Sequence, residues 1–296
     1  VIPPALVTAP PTAFAPDGSL DIASTARIFG HAIAGGVDAL LVNGTTGEFA
    51  ALSREERRST LAAALNEAGS ERVIAHVGAA SPFETGLLTE DALGLGSTRL
   101  SVLTPFYMPA SVDGIQAQIS AVREVAGDAE LFLYLFPDRT GVHITPDEAA
   151  SLIEENDLAG VKISIAGTDY LRQVVNALST PRAVLSGNDG LLREVLAAGG
   201  TGIVSGVSSS MPAPFARLVE AIRGNSNEVG EVAEIVNGIV PILGPSISGL
   251  KISLQRQGVI DSARCRMAID TPDSHLIARI DTLLTEIVPE LSASGR

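Results

Sequence analysis

Short apolar runs alternate along the first two thirds of the chain with longer segments of helical period. Ala5 to Thr8 reads as a strand, and Pro10, Pro11 and Pro16-Asp17-Gly18 mark a loop and turn. Asp21 to Ala34 follows a helical period that Gly35-Gly36 ends. Val37 to Val42 is the next apolar strand, followed by Asn43-Gly44-Thr45-Thr46-Gly47-Glu48. Ser53-Arg54-Glu55-Glu56 is a capping box that opens another helix. The strand pattern returns at Arg72–Val77, Leu100–Leu103, Leu131–Leu135, Leu158–Ile163, Ala183–Leu185 and Gly202–Val204. Between these lie helical segments at Pro82–Leu93, Val112–Val125, Pro146–Glu155, Thr168–Leu178 and Leu191–Ala198. Strands alternating with helices predict a parallel sheet, and eight such units predict an α/β protein closed into a (β/α)8 TIM barrel. After Ser205 the strand signal stops, and Pro214–Ile222, Asn227–Val240, Ser246–Arg256 and Ser274–Leu291 all read as helices. The expected organisation is a barrel over residues 1–224 and a helical C-terminal region over 225–296.

The sixth strand carries an unusual residue. In Asp157-Leu158-Ala159-Gly160-Val161-Lys162-Ile163-Ser164 a lysine interrupts an apolar run. The chain has only two lysines, Lys162 and Lys251, and every other basic side chain is arginine. An ammonium buried at a strand end loses solvation, which favours the neutral amine, and a neutral amine can attack a carbonyl to form a Schiff base. The bland alternative is a lysine that snorkels to water. Gly249-Leu250-Lys251-Ile252-Ser253 nearly repeats the pentapeptide around Lys162, so the case rests on the surroundings.

Composition narrows the partners. A hydrophobic share of 46% with aromatics at 4% supports a large aliphatic core. A net charge of −14 argues against nucleic acid and anionic membrane surfaces, though not against a small anionic substrate held by a local arginine. The single Cys265 excludes an intrachain disulfide and suits a reducing cytoplasm. No apolar run approaches the ~20 residues of a membrane span, and no basic-then-apolar leader is visible; a soluble cytoplasmic protein is expected. His31, His76, His143 and His275 are widely spaced, so no metal site is expected and a zinc-dependent aldolase is disfavoured. Gly94-Leu95-Gly96 lacks the third glycine of a dinucleotide loop.

Barrel active sites lie at the C-terminal ends of the strands. By that rule Lys162 ends the sixth strand, Tyr134 lies near the end of the fifth with Arg139 just after it, and Tyr107 follows the fourth. Tyrosine hydroxyls there can relay the protons that carbinolamine formation and collapse require; the alternative for each is a tyrosine packed on an apolar wall. Gly44-Thr45-Thr46-Gly47-Glu48, after the second strand, can converge backbone N–H groups and two hydroxyls on a carboxylate, or be an ordinary turn.

Five collinear motifs now carry a resemblance: Gly44-Thr45-Thr46-Gly47-Glu48, Pro105-Phe106-Tyr107, Tyr134-x-x-Pro137-x-Arg139-Thr140-Gly141, Gly160-Val161-Lys162 and Ser186-Gly187-Asn188-Asp189. Together they resemble the dihydrodipicolinate synthase/N-acetylneuraminate lyase family. The resemblance implies a pyruvate Schiff base on Lys162 with no cofactor. It implies that Thr45 and Thr46, with Gly44, hold the carboxylate of the 2-oxo acid and that Tyr134 transfers protons. Tyr107 would be reached across a subunit interface, completing a relay of Thr45, Tyr107 and Tyr134 in a homo-oligomer, a dimer or tetramer. Ile203 would line the pocket through its backbone. Arg139 matches the arginine that in the synthases binds an acidic aldehyde, which favours a synthase-like lyase joining or cleaving pyruvate and an aldehyde. Leu135 replaces the family's usual asparagine, and Ile163-Ser164 replaces an acidic-then-small pair. Ser186-Gly187-Asn188-Asp189 is equally similar to 2-keto-3-deoxy sugar-acid aldolases. A catalytically silent 2-oxo-acid binding protein is the alternative of another class.

Overall fold

The computed structural model describes residues 2, 4–244 and 246–293. Each expected strand and helix is present, most of them within two residues of the expected limits. The chain begins β1 (Ala5–Thr8), α1 (Ile22–Ala34), β2 (Ala39–Val42), α2 (Arg54–Ala68), β3 (Val73–His76) and α3 (Pro82–Gly94). It continues through β4 (Arg99–Leu103), α4 (Val112–Ala126), β5 (Glu130–Leu135), α5 (Pro137–Thr140), α6 (Pro146–Glu155) and β6 (Gly160–Ile163). Then come α7 (Asp169–Ala177), β7 (Ala183–Ser186), α8 (Leu192–Ala197) and β8 (Gly202–Ser205). Four helices close the chain: α9 (Pro212–Arg223), α10 (Val229–Leu243), α11 (Ile247–Arg256) and α12 (Ser274–Ala293). The strands form a closed parallel barrel in chain order β1 to β8, as the alternation predicts. Among the α-helices of the described residues α5 is the one addition: four residues opened by Pro137, too short for a periodic signal.

Two compact units divide the chain. The first comprises Gly69–Val204 with Pro4–Ala5, and holds β3 to β8 and α3 to α8. Its strands are short and buried on both faces: Leu100, Leu131, Leu133 and Val161 expose nothing. This is why they read as continuous apolar runs and not as alternating ones. Gly160 opens β6 where any Cβ would meet the carbonyl oxygen of Ala183, so a side chain there would force β6 and β7 apart.

The second unit comprises Leu6–Ala68 and the chain from Ser205 through α12. Here β1 pairs with β2, with Val7 opposite Ala39 and Thr8 opposite Leu40. Ala13, Ile28, Leu254 and Ile260 form an apolar cluster that ties α1 to α11. No single helix among the described residues is long and apolar enough to cross a membrane. The predicted capping box is formed in both directions: the Ser53 N–H donates to Glu56 at 2.9 Å, and the Glu56 N–H donates to Ser53 Oγ at 3.2 Å. Glu56 does a second job. Both of its carboxylate oxygens accept from the Arg266 guanidinium, at 2.6 and 2.7 Å, which fastens the segment after α11 to the start of α2.

That bidentate pair makes stability depend on pH. The Arg266 guanidinium holds the Glu56 carboxyl down to about 2, from an ordinary 4.5, despite an opposing effect of burial. A depressed carboxyl stabilises the fold above its unfolded pKa and loses that contribution as pH falls through the folded value. The difference in urea-unfolding free energy between wild type and Glu56→Gln should therefore be constant above pH 4.5 and shrink between pH 4.5 and 2. A difference that stays constant over this window would show that the pair does not act through Glu56 ionisation.

Candidate active site

In the first unit the register of four neighbouring strands places Leu103, Tyr134, Lys162 and Leu185 opposite one another. Because strand side chains alternate, these residues share one face. Lys162 is only 7% exposed, and its Nζ lies 4.0 Å from the centroid of the Tyr134 ring. Among the described residues no carboxylate pairs with it. An aromatic face is one of the few surroundings that receives a buried amine without a counter-ion.

Tyr134 is itself held on two sides. The Phe136 ring stacks on it at 6.0 Å and 28°, and the His76 imidazole meets it edge-on at 6.2 Å and 80°. The Arg139 guanidinium then lies 5.8 Å over Phe136. Arginine, two rings and lysine thus form one continuous run. Behind the lysine, the Ser164 N–H donates to the Leu135 carbonyl and the Gly187 N–H to the Ile163 carbonyl, each at 2.8 Å. A Cβ on Gly187 would collide with Ser164 Oγ and lie 3.4 Å from Lys162 Cε. The glycine leaves room for the lysine stem and the serine.

The same register sorts the other expected residues. Leu135, Ile163, Ser186 and Ile203 are opposite one another, on the face away from Lys162. Ile203 therefore turns its side chain away from the lysine and leaves its backbone at the strand end. Leu135 lines a cavity of about 390 Å³ with Pro137, Val142, Ile144, Ile165 and Tyr170. It is a departure on the outer face, not beside the amine. Arg139 stands exposed on α5 and makes no ion pair with Asp138 or any other described residue. Tyr107 is 90% exposed and has a left-handed backbone, with φ 74. Tyr170 takes no such position: its hydroxyl donates to the Ile144 carbonyl at 3.0 Å, and burial pushes its pKa up to about 12.

The Gly44–Glu48 turn belongs to the second unit. Asn43 and Glu48, at φ 59 and 54, enter and leave it in left-handed conformations. Gly44 is buried, and Thr45 and Thr46 are half-buried. Glu48 exposes nothing, and its carboxylate is ion-paired with Lys251, which exposes nothing either. The other Glu48 oxygen accepts the N–H groups of Arg266 and Met267, each at 2.8 Å. The signal for this pair was the scarcity of lysine combined with an acid at the end of a turn; a sequence separation of 203 hid the contact. Among the described residues no three His, Cys, Asp or Glu side chains gather as a metal site.

A family model and several known proteins match this chain. A sequence model of the Dihydrodipicolinate synthetase family matches residues 3–285. The 4-hydroxy-tetrahydrodipicolinate synthase of Xanthomonas axonopodis pv. citri is 34% identical over 224 residues, which cover 75% of this chain and 74% of that protein. The protein of the same description from Salinibacter ruber is 35% identical over 222 residues, covering 74% and 72%. Among solved structures, dihydrodipicolinate synthase from Thermotoga maritima superposes with a TM-score of 0.88 at 27% identity, over 97% of this chain and 99% of that one. A monomeric dihydrodipicolinate synthase variant is similar at a TM-score of 0.88 and 27% identity, over 96% of each chain.

The crowding at Gly187 can be tested without any substrate. Gly187→Ala should destabilise the fold by about 1–3 kcal/mol through overpacking. In denaturant unfolding, Ser164→Ala should recover part of that loss. Strictly additive effects would show that the two residues do not compete for the same space.

Proposed function

The chain belongs to the dihydrodipicolinate synthetase family, and on that footing we propose that it is a class I aldolase. In this reading it is a lyase that joins or cleaves a 2-oxo acid and an aldehyde through a Schiff base on Lys162. One observation carries the assignment: a nearly buried lysine with no carboxylate partner among the described residues, over a tyrosine ring at the C-terminal end of a barrel strand.

The chemistry follows from those residues. The Lys162 amine adds to the C2 carbonyl of pyruvate, and the resulting carbinolamine loses water to give an iminium. The iminium is the electron sink, so no cofactor is needed. Loss of a C3 proton gives an enamine, whose carbon attacks the aldehyde carbonyl; water then releases the product from Lys162. Tyr134 moves the protons of carbinolamine formation and collapse, with Thr45 and Tyr107 completing the relay. Thr46 and the backbone of Gly44 hold the carboxylate of the 2-oxo acid, and Ile203 lines the pocket through its backbone. Arg139, which has no ion pair among the described residues, receives the carboxylate of an acidic aldehyde.

The curated relatives named above support the synthase-like version. The sugar-acid aldolase version draws on Ser164 beside Gly187 and on the Ser186-Gly187-Asn188-Asp189 run. The silent-binder alternative draws no support from the change at Leu135, which lies on the face away from the lysine. An exposed Tyr107, followed by Met108 at 70% exposure, supports a second copy of the chain covering this surface, as a dimer or a tetramer. The single Cys265 suits such an enzyme to the reducing cytoplasm.

The reading is tested with a coupled pyruvate assay on acidic and neutral aldehydes. Lys162→Ala should abolish turnover. Arg139→Ala should lower kcat/KM for the acidic aldehyde by ~10²-fold, about 2.7 kcal/mol, and leave neutral aldehydes within a few-fold. An Arg139→Ala variant as active as wild type on both acidic and neutral aldehydes would put the sugar-acid reading ahead. Turnover that survives Lys162→Ala would contradict the Schiff-base reading itself. For the shared site, mixing inactive Lys162→Ala with inactive Tyr107→Phe should restore partial activity; exchange of subunits without recovery would exclude it.

A further inference from the structure

The second lysine sits in a pentapeptide almost identical to that of Lys162, yet the mechanism does not use it. Lys251 is fully buried on α11. Its Nζ is ion-paired with Glu48, donates to the Arg264 carbonyl at 2.8 Å and lies 4.4 Å over the Phe14 ring. An ammonium so completely occupied is no nucleophile. Its partner, however, is the last residue of the Gly44–Glu48 turn.

We infer that Lys251 is a positioning residue: through Glu48 it sets the Gly44–Thr46 turn as the seat for the carboxylate of the 2-oxo acid. The inference rests on the reading above, in which that turn binds the 2-oxo acid, and adds the residue that holds it.

The geometry supplies the reason. Glu48 has a left-handed backbone, which a non-glycine residue keeps only when its surroundings over-determine it. Here three groups grip its carboxylate: the Lys251 ammonium and the N–H groups of Arg266 and Met267. With Glu48 held, its own N–H donates to the Thr45 carbonyl at 3.0 Å, and the Phe49 N–H donates to the Gly44 carbonyl at 3.4 Å. In a trans peptide the C=O and the following N–H point in opposite directions. Tying back the Gly44 and Thr45 carbonyls therefore turns the N–H groups of Thr45 and Thr46 the other way, together, which is the arrangement that receives an anion. Charge acts in the same sense. Lys251 neutralises a carboxylate next to the turn, and without it the Glu48 charge would repel the incoming carboxylate.

The test is reductive trapping of the full-length protein with borohydride, titrating pyruvate and its uncharged isostere pyruvamide. Both ketones need the lysine amine, but only pyruvate needs the carboxylate seat. In Lys251→Met the half-saturating concentration should rise about tenfold for pyruvate and little for pyruvamide. Glu48→Gln/Lys251→Met removes both charges and does not leave a buried carboxylate alone, so it provides the same comparison if the single variant fails to fold. It should show a smaller rise, again confined to pyruvate. If the ratio of the two half-saturating concentrations stays at the wild-type value in the variants that fold, because both rise equally or neither rises, the inference is overturned. If wild type forms no adduct with either ketone, the Schiff-base reading fails first, and this inference with it.

Discussion

The pairing of β5 with β6 is the constraint from which the rest of the site follows. Tyr134 is opposite Lys162 and Leu135 is opposite Ile163. In a strand the side chains alternate, so slipping the pairing by one residue would turn the amine to the other face. Gly160 helps to pin the arrangement, since its missing side chain lets β6 lie directly against the Ala183 carbonyl. The ring of Tyr134 then receives the lysine, and Phe136 and His76 fix the ring. Backbone pairing, not any long-range charge, puts the amine over the Tyr134 ring.

The two lysines show how surroundings decide chemistry. Each sits in a Gly-x-Lys-Ile-Ser sequence, and each is buried. Lys251 has an ion pair, a carbonyl acceptor and a ring. Removing one member of such a pair strands a charge, which typically costs about 3–5 kcal/mol. Its ammonium is thereby committed to structure. Lys162 has a ring face and, among the described residues, no ion pair, so its nitrogen is not committed to a charged partner.

Much of this was legible in the sequence, for identifiable reasons. Buried strands of a parallel barrel read as apolar runs, and Ser53 and Glu56 announced the start of α2 through a capping box that is formed. The lysine in β6 stood out because it broke such a run. Other features depend on pairing that sequence does not display. Leu135 looked like a change beside Tyr134, but alternation sends it to the opposite face. The partner of Glu48 is 203 residues away, and that of Glu56 is 210 residues away. Neither contact has a local signature. Tyr107 was visible as a strand-end tyrosine, while its left-handed backbone and high exposure were not.

The central claim is that Lys162, and not Lys251, carries the Schiff base. With only two lysines in the chain, one measurement separates them: incubation with pyruvate, reduction with borohydride, proteolysis and peptide mass mapping. The account predicts a reduced pyruvate adduct on the peptide containing Lys162 and an unmodified Lys251. An adduct on Lys251, or none on either lysine at saturating pyruvate, would contradict it.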